Sequence, residues 1–260
     1  MNNNAVIEIN NLTKKFGGLT AVNGFSGVVK KHQIVGIIGP NGAGKTTILN
    51  MISGIYNPTS GSIVYNDQDI TYLPSHKVNH LGIARTFQNI NLYQDMTVLE
   101  TIMTAYSWRS SYTIFESMLS LPSVARYENE IKEKSLEWIK KVDLLDVKDN
   151  VAKALPYGMQ RRVEIARALA SEPNVLLLDE PGAGVNQSEI PELVELIKNL
   201  YDELNISIVL IDHRMDVIMQ LCDWIYVQDF GKSIAQGTPE QVQKDPVVIK
   251  AYLGEELNNA

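Results

Sequence analysis

Lys45 and Thr46 close the run Gly39-Pro40-Asn41-Gly42-Ala43-Gly44-Lys45-Thr46-Thr47, which fits the spacing G-x-x-x-x-G-K-[ST]. An ammonium, a hydroxyl and a glycine-rich turn at this spacing suit a triphosphate. The turn leaves successive backbone N–H groups pointing at one spot, and a following helix adds its positive dipole end there. Lys45 would reach the β- and γ-phosphates, and the Thr46 hydroxyl would bind Mg²⁺. A second chemical signal lies far downstream. The apolar run Val175-Leu176-Leu177-Leu178 ends in Asp179-Glu180. A carboxylate at the end of a strand in the same sheet as a phosphate loop can hold Mg²⁺, directly or through water, which suits Asp179. Glu180, one residue further, can orient and deprotonate an attacking water. The competing reading of the acidic pair is a solvated loop end; the phosphate loop outweighs it.

The loop needs a strand before it and a helix after it. Ile34-Val35-Gly36-Ile37-Ile38 supplies a short buried strand, and Thr47 to Ile52 can start a helix. Val6-Ile7-Glu8-Ile9 alternates in part and predicts an edge strand. Ser62 to Tyr65 and Ile83 to Gln88 predict two more strands, with Gln88 at the end of the second. Thr97-Val98-Leu99-Glu100 fits a capping box, and from there to about Asn150 the spacing turns helical. Leu155 to Gln160 reads as a turn leading into a helix over Arg161 to Ala170. Val175 to Leu178 and Ile206 to Ile211 are continuous apolar runs, as in a parallel sheet covered on both faces. The second of these ends at Asp212-His213. Pro191 to Leu204 is amphipathic, Trp224 to Ala235 predicts a hairpin about Phe230-Gly231, and Thr238-Pro239-Glu240-Gln241 is a strong helix start.

The bulk properties narrow the class. The chain has 260 residues, 45% hydrophobic and 20% charged, with a net charge of −7. That is ordinary globular composition for one large domain or a domain with a subdomain, and its acidity argues against a nucleic-acid partner. The one cysteine, Cys222, cannot form an internal disulfide and suits a reducing compartment. The first residues lack the basic and apolar regions of a signal peptide, and no stretch nears 18 consecutive apolar residues. A membrane role would have to come through partners.

Taken together, the phosphate loop, Gln88, Tyr157-Gly158-Met159-Gln160-Arg161-Arg162, Leu178-Asp179-Glu180-Pro181 and His213 resemble the ABC-transporter ATPase family in order and spacing. The Tyr157-to-Arg162 stretch is what separates this family from kinases and GTPases. Phe16-Gly17-Gly18-Leu19-Thr20-Ala21-Val22-Asn23, Arg85-Thr86-Phe87-Gln88, and the ending Gly237-Thr238-Pro239-Glu240-Gln241 with Ala251-Tyr252-Leu253-Gly254-Glu255 are similar to the larger ATPase subunit of bacterial branched-chain amino acid importers. The lipopolysaccharide-export ATPase shares the Tyr-Leu-Gly-Glu ending but has a shorter helical region.

The resemblance implies roles by position. Phe16 would stack on adenine, although an aromatic taken alone is more often a core residue. Val22 would join it in the nucleotide site, and Asn41, Gly42, Ala43, Gly44, Lys45, Thr46 and Thr47 would cradle the phosphates. Thr46, Gln88 and Asp179 would serve Mg²⁺. Glu180 would be the general base, and His213 would contact the γ-phosphate; its plain alternative is a loop histidine. Tyr157, Gly158 and Gln160 would act in trans on the nucleotide of a second ATPase subunit. Gly182 to Asn186 would be the dimer-contact loop, with Asn186 where many members carry Asp. Pro156 stands where the family usually has serine.

The fold expected is therefore an α/β P-loop NTPase core of the ABC type. It has a mainly parallel sheet, an antiparallel N-terminal β-subdomain and an inserted helical subdomain, with core 1–93 and 156–260 and helical insert about 94–155. The implied function is ATP hydrolysis with Mg²⁺, powering uptake of branched-chain or other hydrophobic amino acids from the cytoplasmic face of the plasma membrane. The implied partners are an identical or homologous ATPase subunit, two transmembrane permease subunits and, indirectly, a substrate-binding protein. Trp108, Tyr112 and Phe115 are candidate anchors for the permeases, or packing within the insert. Competing readings are another ABC system, such as lipopolysaccharide export or urea and amide uptake, and a soluble ABC-type ATPase. The last usually carries two domains or a coiled-coil insertion, and this chain has no heptads. Lys45, Asp179, Glu180 and His213 together argue against an inactive binding module.

Overall fold

The computed structural model describes residues 4–109 and 122–258. Tyr112, Phe115 and Met118 lie outside the described residues, as does the side chain of Trp108. The chain divides into two compact units, residues 1–88, 174–183 and 190–260 in the first and 89–173 and 184–189 in the second.

The first unit holds two sheets. β1 (Ala5–Phe16) and β2 (Leu19–Lys30) form a long antiparallel pair, joined on the other side of β1 by β4 (Ser60–Tyr65) and then β5 (Gln68–Asp69). β1 is thus interior, not the edge strand that its partial alternation predicts. Its inward residues Ile7, Ile9 and Leu12 are buried against Phe25 and Ile63. The expected antiparallel N-terminal sheet is present.

The second sheet has six strands. Across it lie β10 (Lys232–Gly237), β9 (Trp224–Asp229), β3 (Ile34–Ile38), β8 (Ser207–Ile211), β7 (Val175–Asp179) and β6 (Ile83–Arg85). β10 pairs antiparallel with β9, and every other pairing is parallel. β3, β7 and β8 are buried at all five of their positions, which explains why their sequences are continuous apolar runs rather than alternating ones. Parallel alignment has the consequence that matters here: the C-terminal ends of β3, β6, β7 and β8 fall at one edge. The residues that follow them are the phosphate loop, Gln88, Glu180 and His213. Helices α1 (Lys45–Ile52) and α2 (Ser75–His80) belong to this unit.

The second unit is mostly helical. Helix α3 (Val98–Met103) begins at the expected capping box, in which the Thr97 hydroxyl accepts from the Glu100 N–H and the Glu100 carboxylate accepts from the Thr97 N–H. Helix α4 (Pro122–Lys141) follows, and its Trp138 indole donates to the Tyr106 hydroxyl at 2.9 Å. Helix α5 spans Tyr157–Leu169, with Pro156 as its N-cap. Tyr157, Gly158 and Gln160 therefore form the first turn of the helix rather than a turn before it. Proline fixes a backbone angle that suits a helix entry, so the helix starts earlier than the apolar periodicity indicates. This helix groups with the second unit, whereas the sequence pattern assigns residues from 156 onward to the core.

Returning to the first unit, the chain forms α6 (Ile190–Leu204), α7 (Met215–Leu221), α8 (Pro239–Gln243) and α9 (Pro246–Asn258). Thr238 and Gln241 close a second capping box, with Pro239 in the first turn. Cys222 is buried, and burial pushes its thiol pKa up, in keeping with a small inert hydrophobe. No helix among the described residues is long and apolar enough to cross a membrane.

Candidate active site

The phosphate loop takes its shape from positions that only glycine can fill. Gly39 has φ 147°, and a Cβ built there would fall 1.9 Å from the carbonyl oxygen of Gln228. Gly44, the N-cap of α1, has φ 96°, and its Cβ would fall 2.3 Å from the Ala21 carbonyl. Two strands from elsewhere in the chain therefore press directly on the loop backbone. The turn between β9 and β10 braces it further: the Gly231 N–H donates to the Ala43 carbonyl at 3.2 Å, and the Asn23 N–H donates to the Gly231 carbonyl at 2.8 Å. Lys45 lies 5% exposed along the loop, its Nζ donating to the carbonyls of Gly39 at 2.7 Å and Pro40 at 2.8 Å.

A cavity of about 290 Å³ is lined by Ala21, by the loop from Asn41 to Thr47, and by Gln88, Glu180 and His213. Glu180 is its chemical centre. Its Oε1 lies 2.7 Å from His213 Nε2, and its Oε2 accepts from Gln88 Nε2 at 2.8 Å. The backbone of Glu180 has φ 50°, in the left-handed region that a long side chain seldom occupies. Its N–H donates to Ile211 at the end of β8, and its carbonyl accepts from Ala183. This non-helical, non-extended step at the end of β7 turns the carboxylate back toward the cavity. The arrangement holds one carboxylate between an amide and an imidazole, beside a lysine and two threonines, which is a geometry able to accept a proton next to a bound phosphate chain.

Asp179 sits one residue behind. It is buried, and its Oδ2 accepts from Arg85 Nη2 at 2.7 Å. Its Oδ1 is also buried and has no hydrogen-bond partner among the described residues. Such an orphaned acceptor is uncommon in a protein interior. No cluster of three or more His, Cys, Asp and Glu side chains able to hold a metal occurs among the described residues. A small hard cation that keeps most of its waters and leans on phosphate oxygens needs no such cluster, and the orphaned Oδ1, the Thr46 hydroxyl and the Gln88 amide are oxygen donors of the right kind.

The remaining candidate residues fall elsewhere. Phe16 is 43% exposed, edge-on to Tyr56 with centroids 5.4 Å apart and with Lys14 Nζ 5.1 Å from its ring centre. It is a surface aromatic and not a core residue. Val22 is fully buried, with its side chain behind Gly44. That corrects the expectation for its side chain: it supports the loop from within, because the shifted register of β2 against β1 turns position 22 inward. Tyr157, Gly158 and Gln160 belong to the second unit. The Gln160 side chain donates to the carbonyls of Lys153 and Leu155, and the Tyr157 ring packs where a Cβ on Gly184 would stand, 2.7 Å away. Glu189 Oε2 approaches the Cβ position of Gly158 at 3.1 Å. The stretch 184–189 and the start of α5 thus pack together within that unit.

Two residues escape the sequence reading. Arg85 reads as part of a strand and of a stretch similar to the family, with no role of its own, although an arginine in an otherwise apolar strand is itself a signal of a buried partner. Asp212 reads only as the residue before His213. It is buried, accepting from the Gly182 N–H at 3.0 Å on Oδ2 and from the Arg214 N–H at 2.9 Å on Oδ1. It ties the segment after Glu180 to the segment carrying His213.

Known proteins are similar to this chain along most of its length. Residues 22–183 match the family model described as ABC transporter, and residues 232–258 match the one described as branched-chain amino acid ATP-binding cassette transporter. The high-affinity branched-chain amino acid transport ATP-binding protein BraF of Pseudomonas aeruginosa is 42% identical over 250 residues, covering 96% of this chain and 98% of BraF. The protein of the same description from Escherichia coli K12, LivG, is likewise 42% identical over 96% of this chain and 98% of its own. Among solved structures, the ADP conformation of MJ1267, an ATP-binding cassette of an ABC transporter, superposes with a TM-score of 0.83 at 31% identity, over 96% of this chain and 99% of that one.

Proposed function

Because this chain belongs to the ABC-transporter ATP-binding family and is an ATPase of that family, we propose that it powers the import of branched-chain or other hydrophobic amino acids. The observation that carries the catalytic part is the Gln88–Glu180–His213 cluster facing the phosphate loop in one cavity. The relatives named for branched-chain amino acid transport, and the match of residues 232–258, support the substrate class.

In this reading the loop N–H groups and Lys45 bind and orient the triphosphate. Glu180 orients the attacking water and takes its proton, with Gln88 and His213 fixing the two oxygens so that the carboxylate need not reorganise during the reaction. His213 would also contact the γ-phosphate. Thr46, Gln88 and Asp179 would hold Mg²⁺, which neutralises charge on the phosphate oxygens when bound. Phe16 offers an exposed ring to the adenine face. Tyr157, Gly158 and Gln160, at the start of α5, serve the nucleotide of a second ATPase subunit, identical or homologous. Helix N-terminal N–H groups and the helix dipole favour an anion there. Two such subunits bind two permeases at the cytoplasmic face of the membrane, and a substrate-binding protein delivers the amino acid.

Reconstitution tests this. The chain purified with its cognate permeases should take up leucine, isoleucine or valine into vesicles in an ATP-dependent manner. ATP hydrolysis stimulated by a different class of solute, and not by these, would overturn the substrate assignment.

A further inference from the structure

The three hydrogen bonds of Arg85 join three parts of the first unit. Its Nη2 donates to Asp179 Oδ2 at 2.7 Å, and its Nη1 donates to Asn50 Oδ1 at 2.7 Å and to Ser53 Oγ at 2.9 Å. Asn50 lies in α1, the helix that begins at Lys45, and Ser53 is its C-cap. Arg85 itself ends β6, three residues before Gln88. The ion pair is almost dry, with the two side chains 6% and 2% exposed. We propose that Arg85 is a positioning residue for the divalent cation: it fixes the Asp179 carboxylate so that Oδ1, and not Oδ2, is presented to the metal. The inference rests on the reading that Asp179 serves the metal.

The physical argument starts from the carboxylate. An aspartate has two equivalent oxygens and rotates freely about its last bond unless something holds it. Here Oδ2 is taken by a charge-assisted bond, and Oδ1 is left buried with no hydrogen-bond partner among the described residues. The backbone adds a second restraint, because the Asp179 N–H points at the Thr86 hydroxyl at 3.4 Å. The planar guanidinium cannot follow Asp179 if it swings, since its other terminal nitrogen is tied to α1. The Phe87 ring 5.2 Å from Cζ narrows its freedom further. A lysine could supply the charge but not this fork. Arg85 also offsets the cost of burying the Asp179 charge, so a cation arriving at Oδ1 meets a carboxylate already partly neutralised. Orientation, rather than added charge, is therefore what Arg85 contributes. Residues that orient a metal ligand in this way typically carry tenfold to a hundredfold in metal affinity.

The test uses the full-length chain in a Glu180→Gln background, so that no turnover intervenes. Mn²⁺ binding to the ATP-loaded protein is followed by electron spin resonance, and ATP binding in EDTA by calorimetry. For Arg85→Gln the Mn²⁺ midpoint should rise about tenfold or more, with ATP affinity in EDTA unchanged. Arg85→Lys, which keeps the charge and so protects the fold if the glutamine variant does not express, should also shift the midpoint. An unshifted midpoint in Arg85→Lys, or a tightened one in Arg85→Gln, would overturn the proposal by showing that charge and not orientation matters. Equal loss of ATP binding in EDTA would overturn it in favour of a purely structural brace for α1. Asp179→Asn separates the two levels: if it leaves the midpoint unmoved, the metal reading of Asp179 fails; if it shifts the midpoint while the Arg85 variants do not, only the role of Arg85 fails.

Discussion

His213 Nε2 lies 2.7 Å from Glu180 Oε1, while Gln88 secures the other oxygen of the same carboxylate. A carboxylate gripped on both sides is pre-set for one direction of proton transfer. Glu180→Gln keeps the size and both contacts in outline but cannot accept the water's proton. Steady-state hydrolysis should fall by about a hundredfold or more, with ATP binding retained and an ATP-stabilised dimer visible by size exclusion. Near-normal turnover would remove Glu180 from the role of base. His213→Ala should lower turnover through the same carboxylate while leaving ATP affinity within a few fold.

Lys45→Ala should weaken ATP binding itself. A hydrogen-bonded point charge on the phosphates is worth about 1.5–3 kcal/mol, or roughly tenfold to more than a hundredfold in Kd. The variant also loses the two bonds from Nζ to the loop carbonyls of Gly39 and Pro40. A small drop in melting temperature without nucleotide should accompany the loss. Nucleotide titration and a thermal melt check both, and unchanged ATP affinity would exclude Lys45 from the phosphate site.

Pro156 caps α5 with no side-chain hydrogen bond. Serine there would gain a cap worth about 1 kcal/mol and give back a similar amount of chain entropy that proline removes from the unfolded state. The stability of the monomer should therefore change little. What serine adds is a hydroxyl able to donate to a phosphate bound on the partner subunit. Pro156→Ser in a Glu180→Gln background should tighten ATP-dependent dimerisation with monomer ATP affinity unchanged. A dimer no tighter than the parent would mean that the helix N-terminus suffices.

Asp212 gives a pH test. Burial pushes its carboxyl pKa above the ordinary value, against the opposing pull of the Arg214 and Gly182 N–H groups. A carboxyl with a raised folded-state pKa binds its proton more tightly when folded. The associated stability is full below the ordinary carboxylate pKa and is lost as pH rises through the raised one. Asp212→Asn cannot titrate. Its stability deficit relative to the parent should be largest in acid and should narrow as pH rises toward neutrality, as read from denaturant midpoints. A deficit that widens with pH would show that the ionised Asp212 is the better hydrogen-bond acceptor by more than burial costs it.

How much of this could be read in advance differs by feature. The phosphate loop, the Asp179-Glu180 strand end and both capping boxes are local, with the chemistry and the geometry carried by neighbouring residues, so their types suffice. The partial alternation of β1 suggests an edge, yet strand order is a long-range property: Ser60–Tyr65, far along the chain, covers its other side. The inward turn of Val22 depends on the register of β2 against β1, which has shifts along the ladder that no local alternation reveals. Arg85 stayed hidden for a similar reason. Its partners Asn50, Ser53 and Asp179 come from three separate segments, and only the folded sheet assembles them.

The Gly231-to-Ala43 contact has a consequence for synthesis. A ribosome makes the phosphate loop early, but Gln228 of β9, which presses on Gly39, and Gly231 of the following turn, which bonds Ala43, are made much later. A nascent chain stopped before residue 228 carries every residue of the loop and yet lacks its clamp. Nucleotide is therefore expected to stabilise only a chain already made through the β9–β10 turn.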